Sequence, residues 1–218
     1  MKTARRVFAL LLFALPTLAA EPLPIQDNSF LIEEAYNQEA GVVQHIFTFT
    51  HGTATFTQEW PVRGVEHQLS YTLPAQRNGG DALLDYRYQL AGDGNARVAV
   101  APRLSLMKRR GGGYGVDANL PVSIAVSDRF VTHWNAGATT IDHTTTWSAG
   151  GSVIVAPLPK VHLMLEARYD GKVLTVSPGV RWAHDVGKLQ IVPGIAAPIG
   201  SDHSRAVFAY LSLEHPFR

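Results

Sequence analysis

The sequence predicts an all-β fold: a closed antiparallel transmembrane β-barrel of about twelve strands, with a short N-terminal helix ahead of it. Three observations carry that prediction. Runs of alternating apolar and polar residues follow one another from residue 42 almost to the C-terminus. The polar face of these runs holds arginine and carboxylate rather than lysine. Aromatic residues gather at both ends of the runs, where membrane–water interfaces select them.

The alternation is clearest in VHLMLEARYDGKVLTVSPGVRW (161–182). Val161, Leu163, Leu165, Ala167 and Tyr169 share one face, and His162, Met164, Glu166 and Arg168 the other. Asp170-Gly171, a strong short hairpin signal, separates this run from its repeat. Twelve runs are readable: 42–50, 53–61, 66–72, 82–91, 95–107, 115–125, 128–138, 144–156, 161–169, 172–183, 187–196 and 205–215. Gly, Asp, Asn and Pro punctuate them, as turns require. PVRG, GDG, SD, PLPK and DVG are short connections. The alternate set contains LPAQRNGGDA, KRRGGGY, ATTIDH and the stretch around 197–204, with HGT and DG as its short members. Short turns at one end and longer loops at the other are the habit of outer-membrane barrels. An even strand number puts both termini at the short-turn end, which is periplasmic in such barrels.

Three segments are expected: a signal peptide at 1–20, a periplasmic N-terminal segment with a short helix at 21–41, and the barrel at 42–218. Lys2, Arg5 and Arg6 precede the apolar core VFALLLFAL (7–15), and PTLAA ends in small residues suited to cleavage. Nine apolar residues are too few to span a bilayer as a helix. Cleavage takes the formal charge from +1 to −2, because three cations leave and no anion does. No nucleic-acid partner is implied. With no cysteine there is neither a disulfide framework nor a thiolate metal site. Within 24–41, Asp27, Asn28 and Ser29 are N-cap types, Glu33 and Glu34 follow early, and Gly41 is a helix stop, so a helix over about 29–39 is expected.

Alternation also fits a periplasmic sandwich or soluble barrel, which buries its apolar face instead. The lysines argue for the membrane: Lys108, Lys160, Lys172 and Lys188 all lie in or beside turns. Mid-strand charges come as Asp85 with Arg87 and Glu166 with Arg168, spaced to pair across an enclosed interior. Trp60, Phe130, Trp182 and Phe217 mark the short-turn end, and Tyr71, Trp147 and Tyr169 the other. The final strand, AVFAYLSLEHPF (206–217), closes on an aromatic, like the assembly signal of outer-membrane barrels, although His215 breaks its apolar phase and Arg218 follows. Pro102, Pro121, Pro178 and Pro193 fall inside predicted strands, and bulges are expected there. Twelve strands lie above the eight whose side chains nearly fill the interior and below the water-filled porins, so a narrow lumen is expected.

The segments IQDNSFLIEEAYNQEAGVVQHIFTF (25–49), FTQEWPV (56–62), HQLSYTLP (67–74) and DANLPVSIAVSDRFVTHWNAG (117–137) resemble a bacterial outer-membrane transporter-like family called MetA-pathway of phenol degradation. That resemblance implies a barrel passing small aromatic or other hydrophobic molecules. It brings no catalytic motif. The HGT and KRRGGGY loops are short for the group, which weakens any specificity carried by loops.

No catalytic residue, metal ligand or cofactor is assigned. None of the nine histidines forms HExxH or HxH, and Asp142-His143, His184-Asp185 and Asp202-His203 read as solvated turn residues. GGG (111–113) lacks the following Lys-Ser/Thr of a phosphate loop. An interfacial lipid hydrolase would need Ser70 with His45 or His67, but those histidines phase to the lipid side and Ser70 to the lumen. No GxSxG elbow is present. The functional set is the lumen face: Glu59, Glu66, Asp85, Arg87, Arg97, Arg103, Asp117, His133, Glu166, Arg168 and Arg181. Fixed charges there either tune passage of a small solute or hold a filled interior together. The expected partners are the lipid bilayer, the outer-membrane barrel assembly machinery and a small-molecule solute. The expected site is the cell outer membrane of a Gram-negative bacterium.

Overall fold

The structure is a computed structural model that describes residues 29–50, 52–75 and 80–217. The signal-peptide segment lies outside them. The strands are β1 (Val42–Thr50), β2 (Thr53–Arg63), β3 (His67–Pro74), β4 (Ala82–Tyr88), β5 (Val98–Val100), β6 (Arg103–Lys108), β7 (Tyr114–Ser127), β8 (Phe130–Ile141), β9 (Thr144–Leu158), β10 (Val161–Tyr169), β11 (Leu174–Trp182), β12 (His184–Val186), β13 (Leu189–Ala196), β14 (Ile199–Gly200) and β15 (Phe208–Pro216). Three staves are broken in two: β5 with β6, β11 with β12, and β13 with β14. All neighbours are antiparallel, and β1–β15 and β11–β13 pairing completes a closed twelve-stave barrel.

Alternation sets the two faces. In β7, Val116, Ala118, Leu120, Val122, Ile124 and Val126 point outward, whereas Asp117, Asn119, Ser123 and Ala125 point in. In β10, Leu163 and Leu165 are exposed outside, whereas His162, Met164 and Glu166 are buried inside. A closed sheet that is apolar outside and polar inside is stable only in a bilayer, because every backbone group is paired and hydrocarbon meets hydrocarbon. The protein is therefore an outer-membrane barrel. Tyr114 and Trp147, each 72% exposed, stand on the outer face at the loop end. Trp182 and Phe217 do so at the other end.

Four sequence expectations need correction. No helix forms among residues 29–41, which are irregular and lie inside the barrel. The Asp170 hairpin has four loop residues, Asp170–Val173, because Tyr169 pairs with Leu174. Asp170 accepts from the Lys172 and Val173 amides and so shapes a wider turn. Asp142-His143 does form a two-residue turn, both residues at positive φ, between paired Ile141 and Thr144. At the short-turn end the connection after β4 runs from 89 to 97, longer than GDG alone.

Nor do Pro121, Pro178 and Pro193 make bulges; the register runs through all three. Each lies beside an interruption in the neighbouring stave instead. The carbonyl of Pro121 accepts from Ala101, at the β5/β6 break next to Pro102. That of Pro178 accepts from Ala197, at the β13/β14 break. Pro193 lies between the residues of β13 that pair with β11 and those that pair with β12. A missing N–H costs little where the partner strand is already broken.

Candidate functional site

The interior contains a second chain segment. Residues 29–40 cross the lumen as a belt with no backbone ladder of their own. Wall side chains take the place of a ladder. The Glu166 carboxylate accepts the successive N–H groups of Phe30, Leu31 and Ile32, at 3.2, 2.9 and 3.1 Å. Asn135 accepts from the Glu33 amide at 2.7 Å and donates to its carbonyl at 2.8 Å. Ser123 accepts from Ala35 at 2.7 Å. Gln89 accepts from Asn37 at 2.9 Å and donates to the Ala35 carbonyl at 2.7 Å. Gln68 accepts from Gln38 at 2.6 Å. Buried main-chain groups must find partners somewhere, and here the barrel supplies them.

The belt also has seats for its side chains. A Cβ on Gly179 would meet the Phe30 ring at 2.8 Å, and one on Gly150 would meet Ile32 at 2.5 Å. Glycine at these inward positions is what lets the belt approach the wall. Phe30 packs edge-on against Phe208 and Tyr210, with ring centroids 5.5 and 5.7 Å apart. The Arg181 guanidinium lies 6.0 Å from the Phe30 ring and 5.5 Å from that of Tyr210. Toward the short-turn end, Ala35 and Tyr36 pack with Ala125, Val131, Ile154 and Met164 into an apolar layer. The Tyr36 hydroxyl reaches the Ala96 carbonyl at 3.0 Å.

Above the belt, at the loop end, a polar cup of about 410 Å³ is bounded by Glu33, Asp85, Arg87, Arg103, Asp117 and Arg168 on its charged side. Thr48, Thr57, Thr72 and Thr139 contribute hydroxyls, and Phe30, Phe208 and Tyr210 form an aromatic wall. Arg103 is the hub. It bonds Glu33 at 2.8 Å, Asp85 at 2.8 Å and Asp117 at 2.6 Å. Ser105 bridges Arg103 and Asp85. Thr139 donates to the second oxygen of Asp117 at 2.5 Å.

Nine of the eleven lumen residues named from sequence point inward. Glu59 accepts from Gln68 at 2.8 Å. Arg87 donates to the Tyr36 carbonyl at 3.2 Å and comes within 4.0 Å of Glu33. His133 shares a hydrogen bond with Ser123 at 2.7 Å, and Arg181 is 0% exposed. Asp85, Arg103, Asp117 and Glu166 take the places already described. Arg168 lines the cup, near its open side. Glu66 and Arg97 are the exceptions: both lie in exposed connections, one residue short of β3 and β5. Of Glu66, it is the backbone carbonyl that is used, by Gln89 and Asn37.

The charge pairs are not the ones sequence proximity implied. Asp85 is held by Arg103 from the next stave, and Glu166 by the belt's amides, not by Arg168. Residues two apart on a strand point the same way, but Arg103, which lies opposite Arg87 and diagonal to Asp85 across the register, is the one that reaches the carboxylate. The lumen set named from sequence omits Glu33, which joins the Arg103 cluster, and the belt-holding side chains Asn135, Ser123, Gln89 and Gln68. By its sequence neighbours Glu33 is an early-helix acid, and only the inward course of the belt carries it to Arg103. Ser70 bonds Asp85 in the lumen, whereas His45 bonds His215 and His67 bonds Tyr86 on the outer face, so Ser70 pairs with neither histidine. Among the described residues no group of three metal-ligating side chains converges.

No protein family and no curated protein matches the chain. Solved structures do. The fold is similar to that of the KdgM porin in complex with disordered oligogalacturonate, with a TM-score of 0.62 and 11% identity over 81% of this chain and 99% of that one. It is also similar to the NanC porin, with a TM-score of 0.57 and 7% identity over 80% of this chain and 100% of that one. At such identities the likeness is one of fold: this barrel has the architecture of outer-membrane porins.

Proposed function

We propose that this barrel is a narrow passive channel for small molecules, with the cup as its outer vestibule and the belt as its constriction. The observation that carries the reading is the 410 Å³ cavity, lined by fixed charges and hydroxyls in a barrel of porin architecture. Fixed charges at a constriction select which solutes pass. The aromatic wall of Phe30, Phe208 and Tyr210 offers ring surface, which supports small aromatic solutes. The resemblance of 25–49 and 117–137 to the phenol-degradation transporter-like family supports the same solute class. Insertion by the barrel assembly machinery would use the C-terminal strand.

Planar-bilayer recording of the mature chain tests the proposal, alongside Glu166→Ala and Asn135→Ala, which loosen the belt. Conductance that rises in either variant is the expected result. Silence in all three proteins would remove the reading. The rival is a structural or interaction barrel with a filled lumen, favoured by the apolar layer around Tyr36. It expects the variants to lose stability without gaining conductance.

A further inference from the structure

The belt is bound chiefly through its main chain. From Phe30 to Gln38, seven backbone N–H groups are accepted by wall side chains. Two wall amides imitate a neighbouring strand. Asn135 bonds both the N–H and the carbonyl of Glu33, the exchange made by an opposed residue in an antiparallel pair. Gln89 bonds the Ala35 carbonyl and the Asn37 N–H, the pattern a parallel neighbour would give. Glu166 sits in a nest of three successive amides, an arrangement that suits any carboxylate and any backbone able to curl around it. Every peptide presents these same groups, so this part of the site reads a polypeptide and not one sequence.

Three further contacts read side chains. Arg103 and Arg87 face the acid at 33, the Ala96 carbonyl takes the Tyr36 hydroxyl, and the Val65 and Glu66 carbonyls take the Asn37 amide. The Gly150 and Gly179 seats accept bulky apolar groups at 32 and 30. We infer that the inner wall is a binding site for an extended peptide of the form apolar-x-apolar-acid-x-x-aromatic-amide, occupied in this chain by its own residues 30–37 and open to exchange with a peptide supplied from outside. Main-chain-directed recognition with a few side-chain pockets is how sheet edges bind strands; here inward side chains replace the edge. The inference does not depend on solute conduction.

A cleavable-linker experiment tests it in the whole protein. Glu39 and Ala40 are exposed, so a specific protease site placed there can be cut after the barrel has folded in detergent. A fluorescent synthetic peptide, SFLIEEAYNQ (29–38), is then added in excess and followed by anisotropy, with release of the cut segment read by mass spectrometry. Saturable uptake coupled to release is expected. Replacing Leu31 and Gln38 by alanine in the peptide should change affinity less than threefold. N-methylation at Ala35 and Asn37, which removes the two N–H donors and leaves the side chains, should weaken it at least tenfold. Refolding a chain that lacks 21–38 with the peptide present gives a second route to the complex, read as a raised unfolding temperature. Failure of uptake by both routes overturns the inference. So does equal binding of the N-methylated peptide, whatever the conductance measurements show.

Discussion

The two halves of the lumen are built on opposite principles. Toward the short turns, Ala35 and Tyr36 sit in an apolar layer with Val131, Ile154 and Met164, packed as a protein core is packed. Toward the loops, the lumen opens into a cup where Arg103 holds Glu33, Asp85 and Asp117. Both halves have the same strands and the same alternation. What separates them is the belt, which fills one half and floors the other. Closure of a barrel thus fixes which residues face inward, whereas the occupant decides whether that interior behaves as core or as solvent-facing site.

The contrast can be broken at its junction. Arg103→Ala leaves three carboxylates facing one another, and a loss of roughly 3–5 kcal/mol is expected, reduced where water reaches the cup. Urea unfolding of the refolded barrel measures it. Tyr36→Ala strikes only the apolar half and should cost about 3 kcal/mol through the cavity it leaves. If the halves are independent, its effect adds to that of a cup substitution. Glu166→Ala removes the acceptor of three belt amides, an expected loss of about 1–3 kcal/mol. Hydrogen exchange should show it as faster exchange at Phe30, Leu31 and Ile32, with the amides of β8 and β9 unchanged. Arg168→Ala sharpens the comparison from the other side. Arg168 lines the cup without joining the Arg103 cluster, so stability should stay within about 0.5 kcal/mol while cation-over-anion preference increases. Reversal potentials in a salt gradient read that change.

The smallest effect concerns pH at an exposed hairpin. Amides of Val173 and Lys172 hold the Asp170 carboxyl below its ordinary value. A lowered folded value contributes stability above the unfolded value, near about 4, and loses it as pH falls through the folded one. A slight drop in unfolding midpoint below that pH, absent in Asp170→Ala, is expected.

Much of this was legible in the chain. Leu163, Leu165 and Val116 outside, with Glu166 and Asp117 inside, follow from a period of two and need no tertiary information. The misreadings share one cause. Asp27, Asn28, Ser29, Glu33 and Glu34 resemble a helix start, but the amides of the belt are taken by wall side chains such as Glu166 and Asn135, and Glu33 turns to Arg103 instead. Local propensity then yields to the partners that tertiary structure provides. The prolines misled for a related reason: whether a missing N–H matters depends on the neighbouring strand.

By itself the sequence determined the closed sheet, its inward and outward faces and its bilayer setting, since all three depend on the order of residues along one strand after another. Only tertiary structure decided that residues 29–40 lie within the lumen, that Arg103 and not Arg87 holds Asp85, and that Glu166 binds backbone. Those pairings join residues up to 136 positions apart, and only the closed register brings them within hydrogen-bonding distance.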